Sequence, residues 1–553
     1  MSPHTQKAHT ITASKDEGFP FKAILLAALL PSLFGLCCGL FVMRPVIRYD
    51  TSVGLAAWNN YTTGGTWNTV ARVDPENIHN TIEESVTWWP PGQYLPLGIL
   101  QSAGLSVGAA VLTVAFFSTL SLGIGGAILV KELSPGGGVR ILPWVSAGFS
   151  CSYYALINFN HFIGGETGLM AILPWVVLIA WKLRNRNLLL VLFLPPIFLL
   201  GSFIKHSFAI HAICIITFLL TEKYREIENP FDKKLKSIQR FIQNSLPLLV
   251  TGIIYIVLRN YFIDKTISPI SHIDKTQTLF SLPTYLGYSM WGPLFAPWSI
   301  GTFTERIAPR LFDLSGSRVW DQLGWTLSIL APLAISFYIW LSFRKCPLHR
   351  LAGITALLTS SLHFLIYHSG GVIALRDRYY QFPAFLFIAV ASIYLYQKKW
   401  KKHMARAILG GTISIGVLGL IHSAFSIKNW AYYNPDSGTS IECPPAVMQS
   451  LYSLSSGSED CILGVSSPFL EAELAKVRHP STRLLPMYGG PIVAPKSIHG
   501  RAPLVILVFP KTWGTGGMDY ASCFVDYRWE EWESYEIEDW IFLQAKTSSP
   551  NEL

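Results

Sequence analysis

The stretch FPFKAILLAALLPSLFGLCCGLFVMRPVIRYD (19–50) decides the fold class. Between Lys22 and Arg44 it has no charged side chain. A helix needs about 20 residues to cross roughly 30 Å of hydrocarbon, and this run supplies them. No small-residue cleavage site precedes the Arg44 region, so the run reads as a retained span and not a removable leader. Directly beyond it, RPVIRYD carries Asp50 to the far membrane face.

The same pattern recurs outward from this stretch. The chain has 553 residues, of which 50% are hydrophobic and only 14% charged, with mean hydropathy +0.36. A soluble protein carries about 25% charged residues. The shortfall excludes an ordinary soluble enzyme and a disordered chain, and it fits a polytopic membrane protein. Apolar runs lie near 21–43, 105–130, 141–158, 168–181, 187–201, 207–220, 244–262, 322–343, 351–368, 382–397 and 407–427. The region 187–220 reads as a tight hairpin, because the basic segments KLRNRN (182–187) and Lys233/Lys234/Lys236/Arg240 then share one face.

Charge sets the expected orientation. The net charge is +9, yet residues 428–553 hold nine Lys/Arg against fifteen Asp/Glu. The first 427 residues hold the basic excess, placed between apolar runs, which suits the positive-inside rule and not nucleic acid. With the N-terminus cytoplasmic, the inner segments hold 22 Lys/Arg and the outer segments of the first 427 residues hold 12. The expected fold is therefore mainly α: a membrane bundle of about eleven spans (1–427) and a small C-terminal α/β domain outside (428–553).

In that tail, PLVILVF (503–509) is strand-like and DYRWEEWESYEIEDWIFLQ is acidic and aromatic. Cys443, Cys461 and Cys523 would face an oxidising compartment, with any pairing open. The eight cysteines show no zinc spacing, so no metal site and no cofactor are expected.

Charged residues collect on the expected outer face. Asp50 opens an apolar-periodic stretch ending in Gly64-Gly65, which predicts a short helix on the membrane surface. Asp50 either N-caps that helix or offers a carboxylate at the water–lipid boundary. WWPPGQYL (88–95) puts Trp89 and Tyr94 at the interface entering the second span. Glu166 lies in NFNHFIGGETG, five residues after His161, as either a solvated helix-start carboxylate or a working one. Lys205 sits at the hairpin tip, and Arg376 and Arg378 flank Asp377 before a late span. Cations on a face that should be poor in them suit an anionic ligand.

In this order, the post-span Asp, W-x-PPG-x-Y-L, Glu166, Lys205 and R-x-R-Y-Y resemble the GT-C superfamily of integral-membrane glycosyltransferases. That superfamily includes protein O-mannosyltransferases and aminoarabinose transferases, and the resemblance covers about residues 20–400. Many members have a second acid after the first Asp; here Thr51 stands there.

The resemblance implies a polyprenyl-phosphate-linked sugar as donor, a glycan, lipid or protein as acceptor, and membrane lipids as surroundings. It implies inverting transfer (EC 2.4 class) with Asp50 as base and Glu166 orienting the acceptor or assisting. Lys205, Arg376 and Arg378 would hold the lipid phosphate, and His161, Trp89 and Tyr94 would contact acceptor or sugar. A divalent metal stays open. The expected location is a bacterial inner membrane with the tail periplasmic. A transporter or flippase of lipid-linked intermediates, or a non-catalytic scaffold, is the alternative.

Overall fold

The computed structural model describes residues 19–41, 45–134 apart from 75 and 87–89, 139–227, 234–262, 346–368, 377–397, 401–428 and 439–440. In the tail it describes 444–457, 460–477, 479, 481–487, 503–511, 521, 524 and 532–545. The expected span at 322–343 and the outer loop 263–321 lie outside these residues, as do Cys443 and Cys523.

The first helix, α1, spans Phe21–Phe41. Ile24, Ala28, Ser32, Gly35 and Gly39 form its buried, mostly small stripe. Leu26, Leu30, Leu33 and Leu40 point outward and are exposed. Small residues inward and leucines outward is the pattern of a helix solvated by lipid. Five helices among the described residues are long and apolar enough to cross a membrane. They include α1, α4 (Val107–Leu133), α7 (Gly164–Leu183) and α8 (Asn187–Ile204). The chain is an integral membrane protein.

Between α1 and α4 lie strand β1 (Val46–Arg48), helix α2 (Tyr49–Thr62), hairpin β2 (Thr69–Val73) and β3 (Thr81–Ser85), and helix α3 (Leu95–Ser102). The expected single span at 141–158 is instead two helices, α5 (Leu142–Ser150) and α6 (Tyr153–Ile157). Ser152, extended at the start of α6, breaks the run, and its hydroxyl donates to the Phe149 carbonyl at 2.8 Å. Strand β4 (His161–Phe162) leads into α7.

After α7, α8 and α9 (Phe208–Ile227) form the expected hairpin: Lys223 near the end of α9 donates to Asn187 at the start of α8, 3.2 Å away. Then follow α10 (Lys234–Phe262), α11 (Pro347–His368), α12 (Gln381–Gln397) and α13 (Lys402–Lys428).

Ion pairs mark which helix ends meet. Glu132 of α4 pairs with Lys182 of α7 at 2.5 Å, and Glu222 of α9 pairs with Arg350 of α11. These ends form one rim of the bundle. The starts of α2, α7, α9 and α12 and the ends of α1, α8 and α11 form the opposite rim, which also receives the tail.

The tail is a five-stranded mixed sheet, with β6 (Cys461–Val465), β7 (Thr482–Pro486), β8 (Leu504–Pro510), β9 (Trp532–Ile537) and β10 (Trp540–Ala545) in the order β7-β6-β8-β10-β9. β6 is parallel to β7 and β8, and β10 is antiparallel to β8 and β9. Helix α14 (Pro445–Ser455) precedes β6, and α15 (Pro468–Leu474) links β6 to β7.

Here one expectation is corrected: α2 does not lie on a membrane surface. Thr51–Ala57, Asn59 and Asn60 are all buried, and α2 packs against α15 of the tail. One apolar core joins Val53, Leu55 and Leu97, from the segment between α1 and α4, to Leu463, Leu470 and Ile506 of the tail. Polar bonds seal the contact: Asn59 donates to the Ala472 carbonyl at 2.7 Å, and Gln101 donates to Glu473 at 3.0 Å.

Candidate functional site

The site is assembled where short strands tie distant segments together. β1 pairs in parallel with β4 and antiparallel with β5 (Thr439–Ser440), so the exit of α1, the entry to α7 and the start of the tail share one small sheet. Val46 opposes His161 in that register. Within it, the Arg48 guanidinium donates through Nε to Nε2 of His161 at 2.9 Å. His161 is thus engaged by Arg48 beside the start of α2.

Arg48 is the N-cap of α2, and no side chain caps the helix. The cap reading of Asp50 is therefore corrected: Asp50 stands in the first helical turn, half-buried. A carboxylate there is favoured by the helix dipole. Among the described residues Asp50 has no ion-pair partner. The next residue, Thr51, is fully buried and its hydroxyl accepts from the Gly164 N–H at 3.1 Å. Thr51 therefore acts as a clamp on α7.

The start of α7 is held from the other side too. Asn158 accepts through Oδ1 from the Thr167 hydroxyl at 2.7 Å and from the Ile163 N–H at 3.4 Å. Gly164 is required there, because a Cβ would lie 2.1 Å from the Gln93 carbonyl oxygen. Two residues on, Glu166 is only 5% exposed and forms an ion pair with Lys205. Lys205 sits at the tip of the α8–α9 hairpin; its backbone N–H donates to Gly201 and its carbonyl accepts from Phe208, both at 3.0 Å. Two of the expected site residues, one on α7 and one in the α8–α9 turn, are thus brought into direct contact.

Beyond the pair the site continues into the bundle. The Lys205 ammonium lies 5.2 Å from the centre of the Tyr379 ring, and Tyr379 stacks on His363 at 5.6 Å. With Gln381 and His211 these groups line a cleft whose other wall includes Leu169, Met170 and Phe382.

The remaining expected residues are placed differently. Tyr94 is buried, packs against Gly54, and donates its hydroxyl to Asn68 at 2.6 Å. Burial pushes its phenol above the usual tyrosine range, so it stays a donor. It is not among the cleft residues. Trp89 and Arg376 lie outside the described residues, as does the side chain of Arg378, whose backbone forms part of a 3-10 turn, Asp377–Tyr380. Among the described residues no three of His, Cys, Asp or Glu come together as a metal site.

Residues not singled out from the sequence are Arg48, Gln93, His211, His363, Tyr379 and Gln381. A signal existed for two of them: His211 and His363 interrupt apolar helical runs, and an ionisable residue inside a span usually has a job.

No known family pattern matches the chain, and no curated protein matches it. Among solved structures, the chain is similar to the archaeal oligosaccharyltransferase AglB from Archaeoglobus fulgidus, in complex with an inhibitory peptide and a dolichol-phosphate. That likeness has 12% identity and a TM-score of 0.45, over 97% of this chain and 75% of that one. ArnT from Cupriavidus metallidurans in the apo state is similar at 13% identity and TM-score 0.41, covering 95% and 98% of the two chains. ArnT bound to undecaprenyl phosphate is similar at 12% identity and TM-score 0.38, covering 94% and 97%.

Proposed function

We propose that this protein is a membrane glycosyltransferase moving a sugar from a polyprenyl-phosphate donor to a glycan, lipid or protein acceptor at the non-cytoplasmic face. The observation that carries this reading is the buried Glu166–Lys205 pair at one rim of a membrane bundle, with the turn that bears Asp50 fastened to the start of α7 by the Thr51–Gly164 bond. Transfer from a lipid phosphate needs a carboxylate to take a proton and a cation for the leaving phosphate; among the described residues Asp50 has no ion-pair partner, and Lys205 lines the cleft.

In the proposed step, Asp50 takes the proton of an acceptor hydroxyl as its oxygen attacks the anomeric carbon. The bond from that carbon to the phosphate oxygen breaks with inversion, and the electron pair leaves on the lipid phosphate. Lys205 stabilises the growing charge, with Arg376 and Arg378 assigned the same task. Glu166 then has the role of holding the Lys205 ammonium at the rim, in place of a direct contact with the acceptor.

A transporter would place its ionisable groups at the bilayer midplane. His211 stands three residues from the start of α9 and His363 five from the end of α11. At 1.5 Å per residue they lie only about 5 and 8 Å along their helices from those ends, close to the rim that holds the Glu166–Lys205 pair. The experiment that tests the reading compares the surface glycans of cells with and without the protein by mass. A missing hexose, pentose or amino-sugar increment supports transfer, and identical glycans and lipid-linked pools oppose it.

A further inference from the structure

Below the Glu166–Lys205 pair, three nearly buried polar side chains of the cleft carry atoms without a hydrogen-bond partner among the described residues. Both Oε1 and Nε2 of Gln381 are unpartnered, with Gln381 3% exposed. So is Nε2 of His363, which is 2% exposed, and Nδ1 of His211, which is 6% exposed. An unmade hydrogen bond at such depth is costly, so such a group calls for a partner from outside the chain, a water, an ion or a ligand.

Their chemistry says what that ligand carries. Nδ1 of His363 must donate to the Thr359 carbonyl, 2.8 Å away, so in the neutral ring Nε2 is a bare acceptor. Gln381 adds an amide that both donates and accepts. Tyr379 supplies an aromatic ring between His363 and the Lys205 ammonium. A phosphate oxygen offers no proton to a lone pair, whereas a sugar hydroxyl both gives and takes one. An aromatic ring suits the apolar C–H face of a sugar.

From this we infer that the cleft is the subsite for the donor's sugar ring, with Gln381 and His363 reading its hydroxyl pattern. The inference rests on the proposed transferase reading and deepens it. A sugar is joined to its phosphate by one ester oxygen. A phosphate held by Lys205 therefore sets the ring beside Tyr379, whose ring centre is 5.2 Å from the ammonium. The apolar wall of Leu169, Met170 and Phe382 keeps water from competing for the same hydroxyls.

The test measures binding of lipids to the full-length protein in nanodiscs. The probes are a polyprenyl phosphate without sugar and the same lipid carrying a hexose, a pentose or an amino sugar. Wild type should bind one sugar-bearing lipid at least about ten-fold more tightly than the bare phosphate. Gln381→Met, of nearly equal volume, should lose that ten-fold preference while binding bare lipid within about two-fold of wild type. Should Gln381→Met misfold, Gln381→Asn and His363→Phe carry the same expectation.

If wild type binds bare and sugar-bearing lipids equally, or if all variants keep the preference, the subsite is wrong while the transferase reading stands. If wild type binds no polyprenyl phosphate of either kind, both are overturned.

Discussion

The Thr51 hydroxyl accepts a hydrogen bond from the Gly164 N–H at 3.1 Å, and through it the turn bearing Asp50 is fastened to the turn bearing Glu166. Both partners are buried, so the bond has no water to replace it. It fixes how far one proposed catalytic carboxylate lies from the Glu166–Lys205 pair.

Thr51→Val keeps the shape and removes the acceptor, stranding a buried N–H at a cost of about 1–3 kcal/mol. A lower melting temperature and reduced transfer are expected, with Thr51→Ser close to wild type in both. Equal melting and activity for Thr51→Val would show that the clamp is idle.

The tail is fastened to the same region by a buried ion pair. Arg72 of β2 contacts Glu471 of α15 through Nε at 2.9 Å and Nη2 at 3.3 Å, and Glu471 is fully buried. Breaking one partner of a buried pair costs about 3–5 kcal/mol. Because Arg72 also pairs with the more exposed Glu84, the lower end applies to Glu471→Gln. Limited proteolysis should then release the tail faster than in wild type, and unchanged cleavage would count against the fastening.

Glu166→Gln and Lys205→Met each remove one charge of the buried pair, and each should destabilise the protein more than the double variant. Lys205→Met should also weaken binding of bare polyprenyl phosphate, whereas Glu166→Gln should leave a cation for it. Equal lipid binding by Lys205→Met and wild type would remove Lys205 from the phosphate site.

Much of this arrangement was legible in the sequence. The α1 run, the α8–α9 hairpin and strand β8 all announce themselves through local apolar pattern and charge. Glu166 and Lys205, which the structure pairs, each stand at the edge of an apolar run. What was hidden depends on partners far along the chain. α2 looks like a surface helix until α15, some four hundred residues later, covers it. The break between α5 and α6 lies in one unbroken apolar run, where a hydrophobic count sees no turn. Gln381 reads as a polar residue at a span's edge, and only the packing of α7, α9, α11 and α12 makes it a buried one.

The expected orientation is also open to direct test. Reporter fusions after residues 348 and 401 should read cytoplasmic, and after residues 70 and 440 non-cytoplasmic. A cytoplasmic reading at 70 would put Asp50 on the wrong face for the proposed chemistry.

The most direct test of the central claim is sugar transfer by Asp50→Asn in isolated membranes at equal protein level. Asn keeps the size and loses the proton-accepting charge; its lost helix-dipole interaction is worth only about 0.3–1 kcal/mol, so expression should hold. With Asp50 as the general base, transfer should fall by roughly 10²–10⁴-fold. Retention of more than about a tenth of wild-type transfer, outside that range, would contradict the assignment of Asp50 as base.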